Sequence, residues 1–123
     1  MKQVQISEKA GRQIVVFDQL DVTYPSGVHI EPTTAKARFI DGIIPAGTLV
    51  MPDTNGMFKV VNETLSQANT AGALGLTAHD VVIDDMPLVA VVMAGTARKD
   101  ALPDKEKAGV AFLRTALPRI SFI

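Results

Sequence analysis

The chain has 123 residues, 47% of them hydrophobic but only 5% aromatic, with no Trp. That is enough for one domain, whose core must be filled by Val, Ile, Leu and Ala. A formal charge of −1, with no basic run longer than Arg98-Lys99, argues against broad attraction to nucleic acid or to an anionic membrane. The absence of cysteine excludes disulfides, thiolate metal sites and Cys nucleophiles together. The first residues carry charge but no continuous apolar run, so no secretory signal is read, and no segment has the length of a membrane span. The expectation is a soluble product made in a cytoplasm.

Residues 1–34 differ from the rest. Short apolar clusters, Ile14-Val15-Val16-Phe17 and then Val22, Val28 and Ile30, sit among turn formers at Gly11, Pro25-Ser26-Gly27 and Pro32. The prolines and scattered polar residues argue against a helix. Two readings stand here: an irregular segment wrapped on its own domain, or an extended arm that adds a strand to a partner.

Residues 35–123 read as short strands and turns. Lys36 to Ile40 alternates, and Asp41-Gly42 turns the chain towards Ile43-Ile44 and Thr48 to Met51. Asn55-Gly56 accepts the positive φ angles of a tight hairpin, with Met57 to Val61 as the return strand. Residues 62–70 are polar and predict a surface loop. Ala73 to Ala78 predicts a strand in which Gly75 allows close packing or a bulge, and Val81 to Ile83 continues it.

The organising stretch follows Pro87. Leu88 to Ala94 is an uncharged apolar run with three valines, ending at Gly95, and predicts a strand buried on both faces. An amphipathic helix is predicted over residues 103–117, with Pro103 in its first turn, Asp104 and Glu106 at the positive end of its dipole, and Pro118 to end it. Gly109 would weaken this helix unless it allowed close packing against the sheet. Arg119 to Ile123 alternates again and predicts a last strand, pinned into the sheet or into a neighbour. The fold class is mainly β (a β-rich α+β unit), a small barrel or sandwich of short strands with one C-terminal helix and an extended N-terminal arm.

Candidate chemistry is sparse. His29 and His79 have no companion at metal-ligand spacing. His79-Asp80 is half of an acid–base pair at a turn-like position, and Asp80, Asp84 and Asp85 are oxygen ligands that match no EF-hand spacing. The glycines form neither a dinucleotide fingerprint nor a P-loop. No catalytic, cofactor or metal residue is assigned, and the reading is of a protein that is not an enzyme.

Taken in order, however, the motifs resemble a known group. Asp41-Gly42-Ile43-Ile44-Pro45-Ala46-Gly47-Thr48-Leu49-Val50 precedes the Asn55-Gly56-Met57-Phe58-Lys59 hairpin. Ala73-Leu74-Gly75-Leu76-Thr77 follows, with Asp80-Val81 close behind. Then come Val89-Ala90-Val91-Val92-Met93-Ala94-Gly95-Thr96-Ala97 and a terminal helix closing in Leu117-Pro118-Arg119-Ile120-Ser121-Phe122-Ile123. This succession, from about Ala35 to Ile123, resembles the head decoration (capsid cement) proteins of tailed bacteriophages, the lambda gpD-like family.

The resemblance implies a structural virion protein on the outer surface of an expanded capsid, made in the host bacterial cytoplasm. Its partners would be the major capsid protein and itself, as a homotrimer. The arm, residues 1–34, would be ordered on the capsid through Ile14, Val15, Val16, Phe17, Val28 and Ile30. The alternatives are another virion part, such as a head–tail connector, a tail subunit or a head-fibre base, and a small ligand-binding β-barrel.

Overall fold

The computed structural model describes residues 16–123. In chain order the strands and helices are β1 (Phe17–Thr23), β2 (Val28–His29), α1 (Pro32–Arg38), β3 (Ile43–Ile44), β4 (Leu49–Pro52), β5 (Phe58–Lys59), α2 (Gln67–Thr70), β6 (Gly75–Thr77), β7 (Val81–Val82), β8 (Leu88–Val89), β9 (Val91–Ala97), α3 (Asp104–Ala108), α4 (Val110–Ala116) and β10 (Ile120–Phe122). A 3-10 turn, Lys99–Ala101, links β9 to α3. The chain is mainly β, as the sequence predicts.

The apolar run after Pro87 is the spine. It breaks at Ala90 into β8 and β9, and β9 holds three neighbours. Along one side lies β1, antiparallel, from Phe17 opposite Ala97 to Thr23 opposite Val92. Along the other side β6 pairs with its first residues, Leu76 opposite Val92, and β10 runs parallel to its last, Phe122 opposite Ala97. The sheet order is β1-β9-β6-β4-β5. Two small ribbons, β2/β8 and β3/β7, complete the strands.

Successive side chains in a strand point to opposite faces, and here both faces are covered. Leu49 and Met51 of β4, Leu76 of β6 and Val92 of β9 join Leu102, Val110, Leu113, Leu117 and Phe122 in a core beneath α3 and α4. Val50 and Val91 project the other way, into a second core with Val28, Ile30, Ala35, Ile44, Val60 and Val89. That is why Val91 and Val92 are both fully buried and why the run does not alternate with polar residues.

The hairpin at Asn55-Gly56 forms as predicted. Both residues have positive φ, 57° and 73°, and Met57 N–H donates to Thr54 O at 3.0 Å. Gly75 does permit close packing, because a Cβ there would lie 2.2 Å from the Val92 carbonyl oxygen. The final strand is pinned within the sheet.

Four local expectations are corrected. Lys36 to Ile40 is not a strand, because α1 occupies Pro32–Arg38. Pro32 takes its first turn, Glu31 accepts from Thr33 N–H at 2.9 Å, and Ala35 faces the core. The helix over 103–117 is two short helices meeting at Gly109, where a Cβ would lie 2.6 Å from the Leu65 Cβ. The close packing is therefore against Leu65, not the sheet. Residues 62–70 are more than a surface loop, since Leu65 is buried and Ser66 and Asn69 form a reciprocal capping box around α2. The central strand does not stop at Gly95. It continues to Ala97 because β1 and β10 flank it, and Gly95 lets the Gln19 carbonyl approach to 2.3 Å of where a Cβ would stand.

Gly75→Ala should lower stability by at least about 2 kcal/mol, since the obstructing atom is backbone and cannot swing away. Gly56→Ala, with open space around it and only its positive φ to satisfy, should cost about 1 kcal/mol. Urea unfolding of both variants checks the order. Equal losses would contradict the close β6–β9 approach.

Candidate interaction surface

The polar groups inside the fold are engaged with one another. Thr77 Oγ1 donates to Pro45 O at 2.9 Å and accepts from Thr48 N–H at 3.0 Å, while Thr48 Oγ1 donates to Pro45 O at 2.6 Å. Glu106, fully buried, grips Arg38 and accepts from Leu49 N–H at 2.8 Å. His79 and Asp80 are exposed, and Asp80 accepts from Ala46 N–H at 2.7 Å, which fastens the 45–47 turn. Asp84 closes its own turn by accepting from Met86 N–H at 3.0 Å. His29 lies in the β2/β8 ribbon opposite Leu88. Among the described residues no group of three or more His, Asp or Glu is placed to hold a metal ion.

Three surfaces stand out among the described residues. The first is β1. Six of its seven residues are exposed, and among the described residues only β9 pairs with it. The other sheet edges are covered: Glu31 N–H donates to Phe58 O alongside β5, and Arg114 reaches from α4 to Phe122 O on β10 at 3.1 Å. An unpaired strand edge presents a row of backbone donors and acceptors and is a template for another strand. Arg98 anchors one end of β1 through Asp18 at 2.6 Å.

The second place is the pair of ribbons and their turns. Ile40 is 92% exposed, Val82 68%, Leu88 53% and Met86 50%. The 39–42 turn that carries Ile40 lies beside β7, since Ile83 N–H donates to Gly42 O at 2.8 Å. The third is a groove of about 560 Å³ between α2 and α4, lined by Gln67, Thr70, Gly72, Ala111, Phe112 and Thr115 among others.

The residues expected to anchor an arm are distributed differently. Ile14 and Val15 lie outside the described residues. Val16 is buried in the α3/α4 core against Gly47, and its carbonyl accepts from Arg98 N–H. Phe17 packs against the same core. Val28 and Ile30 belong to the second core, and Ile30 N–H donates to Pro87 O. Buried side chains have no face to give a partner, so Val16, Val28 and Ile30 act within this fold. The described part of residues 1–34 is woven into the sheet rather than set apart from it.

No protein-family model matches the chain, and no curated protein is detectably similar to it.

Ile30→Ala should cost about 3 kcal/mol of stability through the cavity it leaves. Leu20→Ala, on the exposed face of β1, should stay within about 0.5 kcal/mol. Chemical denaturation distinguishes them, and a neutral Ile30→Ala would mean that residue 30 is not part of the core.

Proposed function

We propose that the protein is a structural virion component that binds the outer surface of an expanded phage capsid and stabilises it, as a head decoration protein. The observation that carries this reading is the outer edge of β1, which among the described residues has no partner strand beyond β9. Extended backbone at a sheet edge binds by strand addition, with main-chain hydrogen bonds for affinity and side chains for register. Each of the motifs that resemble the decoration family also contributes strands to one unit: residues 41–50 to β3 and β4, 55–59 to β5, 73–82 to β6 and β7, 89–97 to β8 and β9, and 117–123 to β10.

The partner in this reading is the major capsid protein. Weak individual contacts suffice there, because a symmetric shell repeats the same site many times and neighbouring copies hold one another in place. A cysteine-free chain near neutrality supplies contact area without a strong field of its own.

Co-sedimentation with expanded, undecorated phage heads tests the proposal. The full chain is expected to bind saturably. A version lacking residues 1–15, which keeps every described element, and a Leu20→Lys/Val22→Lys version are expected to bind more weakly. No binding by the full chain would overturn the decoration reading and turn attention to connector or tail assembly.

A further inference from the structure

The β3/β7 ribbon has an inner and an outer side. Ile43 stands opposite Val82 and Ile44 opposite Val81, and residues paired across an antiparallel ladder share a face. Ile44 is buried and Val81 packs on the second core, so Ile43 and Val82 face outward. Ile40 and Met86 extend that outer side. Ile83 N–H donates to Gly42 O at 2.8 Å, which brings the turn holding Ile40 against the end of β7. Met86 N–H donates to Asp84 at 3.0 Å in the turn that follows. Single exposed aliphatic side chains are ordinary on a protein surface. Here Ile40, Val82 and Met86, each at least half exposed, stand on two segments joined by backbone hydrogen bonds.

The same two segments are acidic. Residues 40–44 and 81–86 contain Asp41, Asp84 and Asp85 and no Lys, Arg or His, and all three aspartates are exposed. Asp41 accepts from Ile43 N–H at 3.3 Å and Asp84 from Met86 N–H, so each holds its own turn and stays beside the apolar side chains. Asp80, just before β7, is committed to Ala46 N–H. Arg38, the nearest cation along the chain, is 3% exposed and paired with Glu106. Lys36, two residues further back in α1, is exposed. Phe39 and Ile83 pack on the core beneath, which fixes this surface before anything binds to it.

We propose that this surface docks a cationic, apolar segment of another protein, with its aliphatic side chains on Ile40, Val82 and Met86 and its Lys or Arg side chains on Asp41, Asp84 and Asp85. Charge complementarity selects this occupant. A nucleic acid or an anionic membrane would meet carboxylates with no cation among them. A second copy seated face to face would set each of these aspartates against its own counterpart, and like charges brought together suppress a contact. A basic apolar segment meets both features at once. The apolar centre supplies affinity, and the charges around it supply association rate and register. A surface already held by the core loses little freedom on binding. The inference rests neither on the edge of β1 nor on the decoration reading.

Fluorescence anisotropy of a labelled amphipathic Leu/Lys peptide of about 18 residues, long enough to hold a helix, tests the proposal on the full chain. Saturable binding is expected, weakening about tenfold or more as ionic strength rises from about 0.05 M to about 0.5 M and the Debye length shrinks. Asp84→Asn/Asp85→Asn should weaken it about tenfold, while the amide oxygen at position 84 can still accept from Met86 N–H. Asp53→Asn/Glu63→Gln removes the same charge outside this surface and should leave binding unchanged. Val82→Thr, which keeps the branched shape, should weaken binding without a change in thermal melting. A Lys/Ser peptide of equal charge should bind far more weakly than the Leu/Lys peptide. No binding, equal losses from the two double variants, or equal affinity for the Lys/Ser peptide would each overturn the proposal. So would self-association of the chain that Val82→Thr abolishes, since the surface would then belong to a second copy.

Discussion

One buried ion pair links the two halves of this small fold. Arg38 leaves the end of α1 and Glu106 lies in α3, 68 residues later. Their side chains are 3% and 0% exposed. The contact is two-pronged, with Arg38 Nη1 donating to Glu106 Oε2 at 2.8 Å and Nη2 to Oε1. The remaining capacity of both groups is used: Glu106 accepts from Leu49 N–H at the start of β4, Arg38 donates to Val61 O, and the guanidinium stands 4.6 Å over the Phe39 ring. Charges taken out of water are tolerated only when satisfied in this way. Here they tie α1, which packs on one face of the sheet, to α3, which packs with the other.

That tie also positions the exposed surfaces. The turn carrying Ile40 begins directly after Arg38, and the α4 wall of the groove begins four residues after Glu106. Both surfaces are thus held to β4 by the same pair. Among the described residues nothing comparable restrains the outer edge of β1, which pairs with β9 alone. Among the described residues, a closed interior is combined with an open strand edge at β1 and exposed apolar side chains at Ile40, Val82, Met86 and Leu88.

Much of the β framework was legible because its signals are local. Asn55-Gly56 marks its turn by backbone chemistry, the run from Leu88 to Ala94 marks a strand with two covered faces, and Gly75 marks a close approach. The helix α1 was missed because Ala37 and Phe39 alternate like a strand, while the informative signs were Glu31-Pro32 at its start and the spacing of Ala35 from Arg38. The break at Gly109 depends on Leu65, and the Arg38–Glu106 pair on residues far apart in sequence, so neither leaves a pattern along the chain. Val28 and Ile30 look like anchors beside Pro25 and Pro32 because their burial comes from β8 and β5, which a reading in chain order cannot bring to them. The exposed edge of β1 was foreseen only as an apolar arm.

The most direct measurement is a double-mutant cycle on this pair by equilibrium unfolding. Glu106→Leu alone strands a buried guanidinium and Arg38→Met alone strands a buried carboxylate, so each should cost about 3–5 kcal/mol. The double variant, with neither charge present, should recover about 2 kcal/mol or more relative to the sum of the single losses. Additive losses, or single variants that cost less than about 1 kcal/mol, would contradict the claim that this pair holds the two layers together.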